Sequence, residues 1–347
     1  MSTVLTSPGR GAALPGRTFL AVDAGNSKTV ALVVDGDGAV HGRGRGGCGD
    51  IYGAASVEDA LAAVFSSVDT AMADAGVVPS DLAAAAFCIA GVDFPEDAVF
   101  WEGHIRERLP ELGPCSVKND AFASLRLLDG TGVAIAITVG TGPAVAARAA
   151  DGREECSGMF VFDHLGGSGL GHAGLHAVAR SWMGIGPDTS LTAAYCELYE
   201  VADGWELRHA FSRRFGARPA SDLWRASRVV LAEADAGDAV ALDIVREQAQ
   251  AFVRYAGWCA TRVGAPLASG ELPVLLNGSV ATSEHGAMRD ALAAELGRVA
   301  PATRVVVSST SPLCGVVLDA LACGGVDVGP DLLARVRDDH PKSFLLT

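Results

Sequence analysis

The chain has 347 residues, 49% of them hydrophobic, and carries 41 acids against 27 lysines and arginines for a formal net charge of −14. That surplus lacks the cationic footprint that binding to phosphate backbones or anionic lipid requires, so neither nucleic acid nor membrane is an expected partner. The length exceeds one ordinary core and suits two, which makes a cleft between lobes the first expected place for a site.

The opening 'MSTVLTSPGRGAALPGR' has no apolar signal region and reads as a disordered lead-in over 1–17. Three strand-like runs follow at 18–22, 30–35 and 39–46, the last two joined by an Asp-Gly-Asp-Gly turn that favours a hairpin. 'SVEDALAAVFSSVDTAMADAG' opens on a Ser-x-x-Asp cap, keeps helical apolar spacing and ends on glycine, so it predicts a helix. 'LAAAAFCIAG' has helical propensity, yet its unbroken apolar character suits a buried strand reaching a functional edge. A short strand at 113–118 leads into 'KNDAFASLRLL', read as a helix with Asp120 in its first turn.

'VAIAITVGTGPAVAARAADG' then repeats the opening grammar of strand, small-residue turn, strand and Asp-Gly turn, which predicts a duplicated α/β unit. A glycine-dense stretch, 'HLGGSGLGHAGL', runs into helix, and a mostly helical region extends over 189–264. 'PVLLNGSVA' reads as strand and turn, 'GAMRDALAAELGRV' as helix, 'TRVVVSS' as strand and 'SPLCGVVLDALACGG' as a last helix. The eight cysteines lie far apart with no Cys-x-x-Cys pair, and no window reaches the apolar length of a membrane span; both fit a cytoplasmic protein.

The turns carry the chemistry. In residues 23–29, 'DAGNSKT', small residues would let backbone N–H groups approach phosphate oxygens, while Asp23 could hold a divalent metal through its water shell. The same residues are ordinary hairpin formers, and both readings stand on this stretch alone. Gly140, Thr141 and Gly142 repeat the device. Asp120 could equally serve the dipole of its helix, with Asn119 as the cap. 'GRGRGG' satisfies Gly-x-Gly-x-x-Gly by count, but no helix opens directly after it, so it is not a Rossmann fingerprint; no P-loop motif is present either. His172 and His176 share a helical face without an evident third metal ligand.

The ordered set 'VDAGNSKT', 'CIAGVD', 'KNDA', 'TVGTGP', 'LGGSGLGHAG', 'VLLNGSVA' and 'SPLCGVVLDAL' resembles the BadF/BadG/BcrA/BcrD-type ATPase family, to which N-acetylglucosamine kinases belong, within the superfamily of sugar kinases, actin and Hsp70. The resemblance implies a duplicated ribonuclease H-like, actin-like two-lobe α/β fold that closes on its ligands. Its lobes would span 18–125 and 126–325, the second with a helical insertion and with a last helix able to pack back on the first lobe, before a tail at 326–347. It implies ATP and Mg2+ as cofactors and Asp23 as the metal residue. Gly25, Asn26, Ser27, Lys28 and Thr29, with Gly140, Thr141 and Gly142, would grip phosphate. Asn277, Gly278 and Ser279 would form the adenosine turn, closed by Gly315. Asp120 would be the base at the acceptor hydroxyl, and Ala90, Gly91, Asp93 and Asn119 would line the acceptor pocket.

Where N-acetylglucosamine kinases carry an Asp-Glu pair after Leu-Gly, this sequence has Gly167 and Ser168, and no tryptophan precedes them. The acceptor pocket is therefore altered, with Asp163 and His164 as replacements beside Gly167. The expected activity is transfer of the γ-phosphoryl group to a hydroxyl of an amino sugar, sugar or polyol, in a cytoplasmic protein that could form a homodimer. 'LGGSGLG' could also be no more than a flexible lid, which would still suit a kinase. The alternatives are an ATPase activating a reductase, although none of Cys115, Cys156 and Cys196 lies in a glycine-rich cysteine motif like that of such activators, and a non-catalytic nucleotide or sugar sensor.

Overall fold

The computed structural model of the chain describes residues 17–338, so the expected lead-in lies outside the described residues except for Arg17. Two units separate: Gly132–Ser311 form one, and the described residues on either side of that stretch form the other.

The first unit opens with β1 (Thr18–Ala24), β2 (Thr29–Asp35) and β3 (Val40–Gly46), followed by α1 (Val57–Ala75), β4 (Leu82–Ile89), α2 (Pro95–Arg108) and β5 (Cys115–Asn119). Ser56 caps α1 by accepting from Asp59 N at 3.1 Å, and Gly76 ends it in the left-handed conformation. The alanine-rich β4 is a strand because it sits between β1 and β5 with seven of its eight residues buried; sheet burial on both faces overrides alanine's preference for helix. The 'KNDAFASLRLL' segment differs from the expected α-helix. It winds as a tight 3-10 helix, Asp120–Leu127.

The run 'GRGRGG' has a packing role. Gly42, Gly44 and Gly46 alternate along one face of β3, and a Cβ on them would lie 2.1, 1.7 and 2.1 Å from the carbonyl oxygens of Ala71, Ser67 and Ala63. Those three carbonyls are four residues apart on α1, so a period-two glycine stripe meets a period-four helix ridge and backbone packs directly on backbone.

The second unit contains β6 (Ala134–Val139), β7 (Pro143–Arg148), β8 (Glu154–Cys156), α3 (Gly166–Trp182), α4 (Leu191–Tyr199), α5 (Gly204–Ala210), α6 (Ser227–Asp235), α7 (Ala239–Arg262), β9 (Val274–Asn277), α8 (Ala287–Val299) and β10 (Val305–Val307). The glycine-dense stretch forms the first turns of α3. Added Cβ atoms at Gly169, Gly171 and Gly174 would meet His164 O, Leu223 O and the Tyr195 hydroxyl at about 2 Å. Its glycines allow this close packing. The chain then returns to the first unit with α9 (Pro312–Cys323) and α10 (Pro330–Asp338), the latter within the stretch expected as a tail.

The two sheets share one topology. Their strand orders are β3-β2-β1-β4-β5 and β8-β7-β6-β9-β10. In each, the unit's first strand lies in the middle, with an antiparallel pair on one side and two parallel strands on the other. The duplication expected from the repeated strand-turn-strand grammar is thus realised strand for strand. Among the described residues no helix is long and apolar enough to cross a membrane.

Candidate functional site

In the first unit β1 pairs in parallel with β4, and β4 with β5, which sets Ala24 opposite Ile89 and Ile89 opposite Asn119. The carboxyl-end edge of parallel strands is where α/β sheets gather ligand-binding groups. Here that edge carries Asp23, the turn from Ala90 to Asp93, Asn119 and Asp120. Asn119 joins two of these elements: its Nδ2 donates to Asp93 Oδ1 at 2.9 Å, while its Oδ1 accepts from Ala121 N at 2.9 Å. Asn119 is therefore the cap of the 3-10 helix, and that duty does not fall to Asp120.

The electrostatics of this edge are those of crowded acids. Burial raises the Asp120 carboxyl to about 7, with the charges of Asp23, Asp93 and Asp50 pushing the same way. Burial raises Asp23 to about 6 against the opposing pull of Lys28. Asp93 also rises to about 6, through burial and then the Asp50 and Asp97 carboxylates. Each of the three keeps some exposed surface, so a solute can reach groups that the fold has made reluctant to ionise.

Asp50, Asp97 and Tyr52 belong to this edge and escaped the sequence reading. Asp97 is buried and accepts from Asp93 N at 3.1 Å, Phe94 N at 2.8 Å and the Tyr52 hydroxyl at 2.8 Å. Asp50 accepts from Tyr52 N at 2.8 Å and abuts Gly91, where a Cβ would lie 2.2 Å from its Oδ1; Gly91 also has φ +79°. One acid thus clamps the loop that carries Asp93, and the other fills the space beneath it. The available signal was an aspartate inside the dense glycine run 'GGCGDIYG'. Asp97→Ala is expected to cost about 1–3 kcal/mol in urea denaturation, because it orphans three donors; wild-type stability would refute the clamp.

The β1–β2 turn divides its residues between display and support. Gly25 N donates to Lys28 O at 2.9 Å and closes the turn, leaving Asn26 and Ser27 exposed at its tip. Burial and then the Arg45 charge push Lys28 down, against the pull of Asp23. Thr29 does not face outward: it is fully buried and its hydroxyl donates to Gly47 O at 3.0 Å. Gly315 is packed inside this unit as well, since a Cβ there would lie 1.8 Å from Ala123 O. It holds α9 against the 3-10 helix and lines no open turn.

In the second unit, Gly140 N donates to Gly142 O at 3.1 Å, and Thr141 and Gly142 are exposed. Gly167 N donates to Gly140 O at 2.9 Å and Ser168 N to Thr141 O at 3.0 Å, so the start of α3 braces this turn from behind. Gly167 is buried and supports the turn instead of facing a ligand. Asn277 is buried with its Nδ2 donating to Ser308 O at 2.5 Å and Thr310 O at 2.9 Å, a support role once more. Gly278, with φ +93° and Val139 O 2.5 Å from where a Cβ would sit, carries the chain into exposed Ser279. Asp163 accepts from the Tyr255 hydroxyl at 2.7 Å, and the His164 ring lies 5.4 Å from that of His172. Both Asp163 and His164 are exposed.

No protein-family model matches the chain, and no curated protein matches it in sequence. Solved structures do match. A putative N-acetylglucosamine kinase from Chromobacterium violaceum is 20% identical, with a TM-score of 0.64 over 87% of this chain and 98% of its own. Another putative N-acetylglucosamine kinase, from Porphyromonas gingivalis, is 19% identical, with a TM-score of 0.62 over 86% and 96%. A ROK family glucokinase from Streptomyces griseus, in complex with glucose and AMPPNP, is 18% identical, with a TM-score of 0.56 over 87% and 98%. In fold, the chain is an α/β protein built on a duplicated unit with one mixed five-stranded sheet in each half, an architecture it shares with these three solved structures.

Proposed function

We propose that the chain is an ATP-dependent kinase that phosphorylates a hydroxyl of an amino sugar, sugar or related polyol. The observation that carries this reading is Asp120 at the end of β5, a partly exposed carboxylate raised to about 7 beside Asp23 and Asp93 on the neighbouring strand ends. Phosphoryl transfer asks a protein for positioning, charge neutralisation and acceptance of one proton. Asp120 takes the proton from the acceptor hydroxyl as the hydroxyl oxygen forms the new bond to the γ-phosphorus and the bond from that phosphorus to the β–γ bridging oxygen breaks, releasing ADP. Asp93, oriented by Asn119 and by the Asp97 clamp, accepts a hydrogen bond from the acceptor at the 90–93 turn.

Among the described residues no three His, Cys, Asp or Glu side chains gather into a metal cage. Magnesium does not need one, because it keeps several waters and takes other ligands from phosphate. Asp23 fits that role: no protein donor reaches its carboxylate among the described residues, and burial raises it to about 6 despite the pull of Lys28. A magnesium ion held there would supply charge neutralisation for the transferring phosphoryl group. In the β1–β2 turn, Asn26, Ser27 and Lys28 are the phosphate contacts, with Gly25 and Thr29 holding the turn. In the second unit Thr141 and Gly142 are assigned to phosphate and Gly278 and Ser279 to adenosine, with Gly140, Gly167 and Asn277 as their supports.

ATP consumption with Mg2+ across amino sugars, neutral sugars and cyclitols tests this reading. Turnover that appears only with an acceptor, together with mass-spectrometric detection of the phosphorylated product, is the expected result. Tight ATP binding with no acceptor-dependent turnover across the panel would replace the kinase with a nucleotide or sugar sensor.

A further inference from the structure

A cavity lies wholly within the second unit, between the end of α3 and α5, with a volume of about 210 Å³. Two tryptophans line it, Trp182 and Trp205, and each is only about half buried, at 49% and 54% exposure, whereas Trp101 of the other unit is completely enclosed. Half-exposed indoles converging on a hollow are unusual surface chemistry for a folded chain. The hollow is preformed. Gly204 brings α5 so close to Trp182 that an added Cβ would lie 2.7 Å from the Trp182 Cβ. Trp205 and His209, one turn apart on α5, stack at 5.0 Å with an interplanar angle of 19°, which makes a flat wall.

The charged lining is a single cation, Arg208. His209 and Ser212 complete the polar lining, and no carboxylate contributes, although the chain as a whole carries −14. The acids of α5 are engaged elsewhere: Asp203 caps the helix by accepting from Glu206 N at 2.8 Å, and Glu206 accepts from Ala202 N at 2.8 Å. Among the described residues the Arg208 guanidinium forms no hydrogen bond or ion pair. Aromatic walls with a lone guanidinium at the rim are complementary to a flat apolar body bearing one negative group.

We propose that this cavity binds a small planar aromatic carboxylate, its ring system against Trp182 and the Trp205–His209 wall and its carboxylate on Arg208. The volume admits one or two fused rings and is too small for a nucleotide. This site stands independently of the kinase reading, since none of its residues belongs to the phosphoryl-transfer machinery.

Isothermal titration of the full-length protein with 2-naphthoate and its neutral isostere 2-naphthamide tests the proposal. Saturable one-site binding of the carboxylate is expected, with the amide at least about tenfold weaker. Arg208→Gln should weaken the carboxylate by about 10–100-fold while leaving the amide unchanged. Trp205→Ala should abolish binding of both while melting as the wild type does, since its ring is half exposed. No saturation up to roughly 10 mM would overturn the site. Equal affinity for acid and amide would overturn the assigned charge. A wild type that light scattering shows to be dimeric, and that Trp205→Ala converts to monomer, would make this face a self-interface and also overturn the proposal.

Discussion

Asp120→Asn should lower acceptor-dependent turnover by about 10²–10⁴-fold, the usual contribution of a positioned general base. The substitution preserves shape and removes the proton acceptor, so nucleotide affinity should hold while the rate collapses. The pH profile carries a second signature. Burial and the charges of Asp23, Asp93 and Asp50 raise Asp120 to about 7, and a base must be ionised to act, so kcat/KM should climb with pH and level off above about 7. A cation bound beside Asp23 moves that limb to lower pH. Activity in the Asn variant within about threefold of wild type would remove Asp120 from the base role.

The same shift predicts stability without nucleotide and metal. A carboxyl at about 7 in the fold, against an ordinary value of 3.8, makes the folded chain bind more protons than the unfolded chain between those values. The contribution is fully present below about 4 and is lost as pH rises through 7. Asp23 and Asp93, at about 6, act in the same direction. The urea midpoint should therefore fall more steeply from pH 5 to 8 in wild type than in Asp120→Asn, and parallel curves would show that the carboxyl is not raised.

Gly44→Ala should destabilise the first unit by about 3 kcal/mol or more, although alanine is ordinarily a mild replacement. The added Cβ would lie 1.7 Å from Ser67 O, a backbone atom in the middle of α1, and the flanking contacts at Gly42 and Gly46 prevent the helix from backing away locally. Gly36→Ala is the matched control, because nothing lies within 4 Å of its Cβ position and its φ is not left-handed. It should change stability by less than about 0.5 kcal/mol. Similar urea midpoints for the two variants would contradict direct packing of β3 on α1.

Much of the fold was legible in the residues because local rules and global packing agree there. The alternation of α1 with its Ser56 cap and Gly76 stop, the continuous apolar run of β4, and the repeated strand-turn-strand grammar at 'VDAGNSKT' and 'TVGTGP' are patterns that period, capping and turn chemistry determine on their own. The roles assigned to Asp120, Asn119 and Asp23 came instead from the resemblance of 'KNDA' and 'VDAGNSKT' to a known family, since by local rules alone Asp120 could equally serve the dipole of its helix.

Tertiary structure decided the rest. Which small residues face solvent and which support a turn depends on what packs behind them: Thr29, Gly167, Asn277 and Gly315 look open in a linear reading, yet each is closed by a partner distant in sequence. The helical state of 'LGGSGLGHAG' arises the same way, since its glycines admit the Leu223 carbonyl and the Tyr195 hydroxyl, neither of them nearby in sequence. Asp50 and Asp97 join the acid edge only when parallel pairing of β1, β4 and β5 brings three loops together, and the raised carboxyl of Asp120 arises from that convergence. Sequence alone determined the turns and the order of the elements, which are local properties; charge coupling and burial are sums over neighbours, and only the folded chain specifies its neighbours.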